Sequence, residues 1–163
     1  MIGKAPPAEN AEVALRDLRL ATLGAPARAD PDIILILVTP GSRAAANPKA
    51  PLDRAFLARL VAAVDAGAPR AIGFDVLLDR PTSPQADQAL RAALLGARAP
   101  LVAARTGPAL DPDAVEARLL AGVASGAAEL SAGPLDDVVR DSRRRDALGA
   151  YTFAAALAAA AGR

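Results

Sequence analysis

The chain offers few side chains able to do covalent chemistry. Its 163 residues include no histidine and no cysteine. That removes the commonest acid–base group near neutral pH, thiol catalysis, disulfides and zinc sites of the Cys/His type. The serines are Ser42, Ser83, Ser125, Ser131 and Ser142. None lies in a Gly-x-Ser-x-Gly elbow, and no histidine exists to activate one. There is no Walker-type loop and no Gly-x-Gly-x-x-Gly motif behind a strand. The groups with most scope are Thr39, Asp75 and Arg105, each at or just past the end of an apolar run, and Arg54, in the first turn of a helix. Arg54 and Asp75 carry two readings. They form a buried or half-buried ion pair that fixes a loop, or they contact a ligand directly. A buried charge needs a partner either way.

The elements that must position these groups can be read from the hydrophobic pattern. Pro6 and Pro7 precede a helix over Ala8 to Ala21, in which Glu12 and Arg16 stand four apart. Ile33-Ile34-Leu35-Ile36-Leu37-Val38 is a continuous branched apolar run, the pattern of a strand buried on both faces of a parallel sheet. A long loop, Thr39 to Pro51, follows and is expected to be mobile without ligand. Leu52 to Ala66 is the clearest helix, with Phe56, Leu57, Leu60, Val61 and Val64 on one face, and Gly67 stops it. Ala71 to Val76 is predicted as the second strand. Ser83 caps a helix over Pro84 to Leu95, with Leu90 and Leu94 inward and Asp87 and Arg91 paired outward.

Pro100 to Ala104 reads as a third strand. Asp111-Pro112 opens a helix whose Val115, Leu119 and Val123 face inward. Ala127 to Ser131 and Val138 to Asp141 are predicted to pair across the Gly133-Pro134-Leu135-Asp136 turn. Thr152 caps a last helix bearing Phe153 and Leu157. Strands alternating with helices imply βαβ units. The expected fold is α/β: a mostly parallel sheet, helices on both faces, and a mixed or antiparallel late edge. An amino-terminal helix (8–22) precedes the core (32–162), all within a single domain, 1–163.

Bulk properties agree with one compact domain. The hydrophobic fraction is 53% and the charged fraction 23%, ordinary for a globular chain. The net charge of +1, without a basic stripe interleaved with aromatics, speaks against a nucleic-acid partner. Arg143-Arg144-Arg145 reads as a solvated turn balanced by Asp141 and Asp146. No segment is long and apolar enough to span a bilayer, and no signal peptide is recognisable. No cofactor motif and no metal-ligand set is expected.

Two resemblances bear on the same residues. Gly73-Phe74-Asp75-Val76-Leu77-Leu78 superficially resembles the haloacid dehalogenase phosphatase signature, whose strand-end aspartate is the nucleophile. That signature wants a second acid two residues later, where Leu77 stands, and Asp79 is out of register. The second resemblance covers nearly the whole chain. Leu15 to Arg19 looks like the membrane-proximal helix that opens type-2 CHASE domains, and Asp32 to Val38 matches their first strand. Pro51-Leu52-Asp53-Arg54 is similar to their proline-x-x-arginine helix start. The most specific block is Gly67 to Leu78 followed by Ala86-Asp87-Gln88-Ala89-Leu90. Asp136-Asp137-Val138-Val139-Arg140 resembles their late turn and strand, although Asp137 replaces the turn glycine and Ala50 an aromatic.

That resemblance implies a periplasmic or extracellular sensor held between transmembrane segments. The receptors that carry such domains have a cytoplasmic adenylate cyclase, histidine kinase or Ser/Thr kinase. It implies signal transduction by an unknown small-molecule or periplasmic-protein ligand, a homodimer, membrane anchoring in the full-length protein, and no enzymatic activity. The ligand-binding candidates are Thr39, Arg54, Asp75, Arg105 and Arg140. The alternatives are a small α/β hydrolase or phosphotransferase using Asp75, and a dimerisation module without a ligand.

Overall fold

The structure, a computed structural model, describes residues 30–39, 53–78, 80–107, 114–128, 131–132, 139–141 and 144–162, with 15, 18, 19, 22 and 41. Most of the expected amino-terminal helix, and the 39–51 loop apart from Thr39 and Gly41, lie outside these residues.

The first described helix, α1 (Arg54–Ala66), starts where Asp53 turns extended and its carboxylate accepts the Ala55 amide at 2.9 Å. It ends at Ala66 with Gly67 as its cap, as expected. Gly67 keeps a right-handed conformation, and Ala68 takes the left-handed one, with φ of 50°. Strand β1 (Ile72–Phe74) follows. Helix α2 (Pro84–Gly96) is capped by Ser83, whose hydroxyl accepts the Ala86 amide, with proline at its first position. Strand β2 (Leu101–Arg105) is buried at every position.

Helix α3 (Val115–Leu120) starts later than the Asp111-Pro112 signal predicts, because Ala114 is still extended. Gly122 at φ 82° closes the turn into β3 (Ala124–Ala127). Here the sequence reading needs correction. Ala127 does not open the late hairpin, as the expected Ala127 to Ser131 strand would have it; it ends β3, the third strand of the parallel sheet, paired to β2 from Val102↔Ala124 to Arg105↔Ala127. The hairpin itself, β4 (Ser131–Ala132) and β5 (Val139–Asp141), forms a separate antiparallel pair. Helix α4 (Phe153–Ala160) begins after Thr152.

The main sheet runs β1-β2-β3, all parallel and open. Alternation along the strands divides its faces. Ile72, Phe74, Leu101 and Ala103 join Leu57 and Val61 of α1, Leu90 and Leu94 of α2, and Leu119 and Leu120 of α3 in one core. Gly73 and Gly126 point the other way, against α4. A Cβ on Gly73 would lie 2.6 Å from Leu157, and one on Gly126 would lie 2.6 Å from the Phe153 nitrogen. The fold is thus α/β with helices on both faces.

One expected strand is not in this sheet. Ile33 to Val38 pairs with no described strand, and Ile33, Ile34, Leu35, Ile36 and Leu37 are 51–85% exposed. A run of this composition is stable as a strand only where neighbours cover both faces, and in the described conformation these five each stay more than half exposed.

Candidate functional site

Ligands of open parallel sheets meet the groups beyond the carboxyl ends of the strands. Here those groups come from the 75–82 loop after β1, from Thr106 and Gly107 after β2, and from the 144–150 turn. Arg54 reaches the same end from the first turn of α1. It is 2% exposed and donates to the Arg80 carbonyl at 2.9 Å. Its Nε lies 3.6 Å from Asp87 of α2, whose carboxylate also accepts the Thr82 hydroxyl at 2.6 Å. A cation at a helix amino terminus opposes the helix dipole. The acid in the first turn of α2 offsets this and ties the two helix starts together.

Two expectations are corrected here. Arg54 pairs with Asp87 and not with Asp75, so the Arg54–Asp75 ion pair does not form. Asp87 and Arg91 do not pair with each other either. Arg91 donates instead to the carbonyls of Arg118 and Ala121, capping the end of α3.

Arg105 ends β2 with its side chain 8% exposed and binds Asp146 at 2.9 Å. It also donates to the Gly107 carbonyl. Asp146 accepts the amides of Leu148 and Ala150 at 2.9 and 3.0 Å. Burial pushes the Asp146 carboxyl up, but the Arg105 guanidinium and these two amides outweigh it and hold it below the ordinary aspartate range. Beside this pair, buried Glu116 accepts the Thr106 hydroxyl at 2.5 Å. The described residues of the turn, Arg144, Arg145 and 147–150, are exposed as the arginine run predicts, but Asp146 is not their solvated counter-charge. Asp146 is drawn inside to neutralise the arginine at the end of the central strand.

Asp75 and Thr39 are exposed. The backbone of Arg140 lies in β5, outside the parallel sheet, and its side chain is not among those described. Two of the expected site residues, Arg54 and Arg105, thus reach the carboxyl end of the sheet and are used there to hold loops. Sequence reasoning missed Thr82–Asp87, Thr106–Glu116 and Asp146. Asp87 alone had a signal, as an acid in a first turn behind a serine cap.

At the opposite end of the sheet, Asp65 joins α1 to the entry of β2. It accepts the amides of Arg98 and Ala99 at 3.0 and 2.9 Å and the Arg98 Nε at 3.0 Å. The Ala99 amide, and then Arg98, lower its carboxyl below the ordinary range. Among the described residues no group of three or more acidic side chains could hold a metal ion, and no helix is long and apolar enough to cross a membrane.

Asp75 is exposed at the carboxyl end of the sheet, while the Arg80 and Gly107 carbonyls and the Thr82, Thr106, Leu148 and Ala150 amides are already hydrogen-bonded. The buried cations Arg54 and Arg105 are paired with Asp87 and Asp146, and the Thr82 and Thr106 hydroxyls donate to the Asp87 and Glu116 carboxylates. A family model described as the CHASE2 domain matches residues 1–163. No curated protein and no solved structure matches the chain.

Proposed function

We propose that this chain, which belongs to the CHASE2 domain family, is the signal-input domain of a membrane-anchored receptor. The family is one of extracellular sensory domains, so a sensory role follows from membership. The proposal adds the mechanism. A small-molecule or periplasmic-protein ligand binds at the carboxyl end of the parallel sheet, where Asp75 is exposed and the loops are held by Arg54 and Arg105. It binds one conformation better than another and shifts the population. The amino-terminal helix carries that shift through the membrane to a cytoplasmic cyclase or kinase, in a homodimer.

The observation that carries this reading is the family match over the whole chain. The pairing of the buried cations with loop carbonyls and carboxylates supports it, because it leaves Asp75 without the reactive partner a phosphotransferase would need. The test is to melt the purified chain with and without the small-molecule fraction of a periplasmic extract. A dose-dependent rise in melting temperature is expected, since a ligand of the folded form stabilises it by mass action. Turnover of para-nitrophenyl phosphate that vanishes in Asp75→Asn would replace this reading with the enzymatic one.

A further inference from the structure

The turn that carries Asp146 projects from the fold. At its base Arg145 and Tyr151 form an antiparallel bridge, and the Thr152 amide donates to the Arg144 carbonyl at 3.1 Å. Asp146 and Thr152 are buried, but residues 147–151 are all exposed, Leu148 at 69% and Tyr151 at 42%.

The projection is tightly built. The Asp146 amide donates to the Ala150 carbonyl at 2.8 Å, and the Gly149 amide to the Asp146 carbonyl at 3.0 Å. Asp146 Oδ1 accepts the amides of Leu148 and Ala150, while Oδ2 binds Arg105. Gly149 supplies the left-handed residue that closes the turn, with φ of 82°. Arg145 lies over the Tyr151 ring, 4.5 Å from its centre, and donates to the Gly149 carbonyl. An aliphatic and an aromatic side chain thus stand on a backbone already ordered, which lowers the cost of binding through them.

Shape, charge and composition say what would meet this tip. A projection cannot enclose a small molecule, which needs a concave site; it enters a cleft on a macromolecule. The tip follows Arg143-Arg144-Arg145, and the acid next to that run, Asp146, is bound to Arg105 instead. Among the described residues no carboxylate pairs with Arg144 or Arg145. Tyrosine and arginine around an apolar centre are the side chains enriched where proteins meet. A membrane surface fits less well, because one leucine and one tyrosine offer far less apolar area than the broad helix face that holds a protein there.

We propose that the 147–151 tip is the docking point for a protein partner, an acidic surface whose apolar pocket takes Leu148 and whose carboxylates meet Arg144 and Arg145. The proposal rests on the sensory reading and narrows its ligand to a protein. Helix α4 begins directly after the tip and lies over Gly126 and Gly73, so a contact there acts on an element packed against the sheet.

The test is amide chemical-shift mapping on the full chain with two synthetic probes. One is an acidic peptide with a Leu-Phe pair flanked by glutamates, and the other has Gly-Ser in place of Leu-Phe. The first is expected to shift the amides of Leu148, Gly149, Ala150 and Tyr151, and to bind at least about fivefold more tightly than the second. Leu148→Ser is expected to abolish that difference. Arg144→Glu is expected to weaken both probes about fivefold or more at low salt. Both sites are exposed, and unchanged Ile72 and Val102 amides check that each variant is folded. Equal binding of the two probes overturns the proposal, as does a Leu148→Ser variant that binds like the wild type. Tip amides that answer to phosphatidylglycerol vesicles and not to the first peptide assign the tip to a membrane. Tip amides that shift with protein concentration alone assign it to a second copy, and either result overturns the proposal. Shifts centred on Asp75 with the tip unmoved overturn it too, yet leave the sensory reading standing. That reading falls to a different result, phosphate-ester turnover lost in Asp75→Asn.

Discussion

Asp65 and Asp146 hold the two ends of the sheet, and both titrate below the ordinary aspartate value of 3.8. A carboxyl with a depressed folded pKa stabilises the fold fully above its unfolded value. It loses that contribution as the pH falls through the folded one. Asp65→Asn and Asp146→Asn are therefore expected to melt lower than the wild type at neutral pH. Their deficit should shrink as acid protonates the wild-type carboxylates, below about pH 4. Thermal melts across that range check this, and a deficit independent of pH would assign the loss to packing. Ala68 gives a second prediction at this scale. A left-handed alanine is strained by its Cβ, so Ala68→Gly is expected to stabilise by up to about 1 kcal/mol, net of glycine's greater freedom when unfolded. Denaturant titration measures it. Neither residue's role was legible in the sequence. Gly67 does cap α1 as read, but the left-handed residue is Ala68, and Asp146 looked like the solvated counter-charge of an arginine run.

Helix α4 depends on two glycines for its seat on the sheet, and they should respond differently to a methyl group. At Gly126 the new carbon would strike main-chain atoms of Thr152 and Phe153, at 2.6–2.7 Å. At Gly73 it would strike the far ends of the Leu157 and Phe153 side chains, which can rotate away. Gly126→Ala is expected to cost about 1–3 kcal/mol or more and to loosen α4, and Gly73→Ala clearly less. Equal losses in urea unfolding would sink the distinction. On the other face, Leu57 is fully buried between the helices, and Leu57→Ala should cost about 2–5 kcal/mol. The same elements show what the sequence could reveal. Helices α1, α2 and α4 and strands β1 and β2 were legible because branched or large side chains recur with clear periods. Strand β3, Ala124-Ser125-Gly126-Ala127, was not. Alanine, serine and glycine carry little strand preference; the strand exists because β2 pairs with it and because Gly126 admits the backbone of α4. Ile33–Val38 failed in the opposite sense, since its pattern records a burial that the described conformation does not provide.

At the scale of the whole molecule, we propose that two copies stand side by side and that the amino-terminal helix joins them. Leu15 and Leu18 are 50% and 58% exposed. The Thr22 hydroxyl donates to the Leu18 carbonyl at 2.7 Å, the back-bond of a helical turn. Leucines that docked on the chain's own sheet would be shielded, so these two are available to a symmetric contact, the commonest way to close a homodimer. Membrane anchoring would raise the local concentration, and without it association should be weak. Sedimentation equilibrium is therefore expected to show a concentration-dependent monomer–dimer equilibrium. Leu18→Glu should weaken that equilibrium yet leave the melt of the dilute monomer within about 0.5 kcal/mol of the wild type, as for an exposed site. A strict monomer at high concentration, with a sharply lowered melt in Leu18→Glu, would place these leucines in the monomer core. The signal would then have to cross between copies through some element other than this helix.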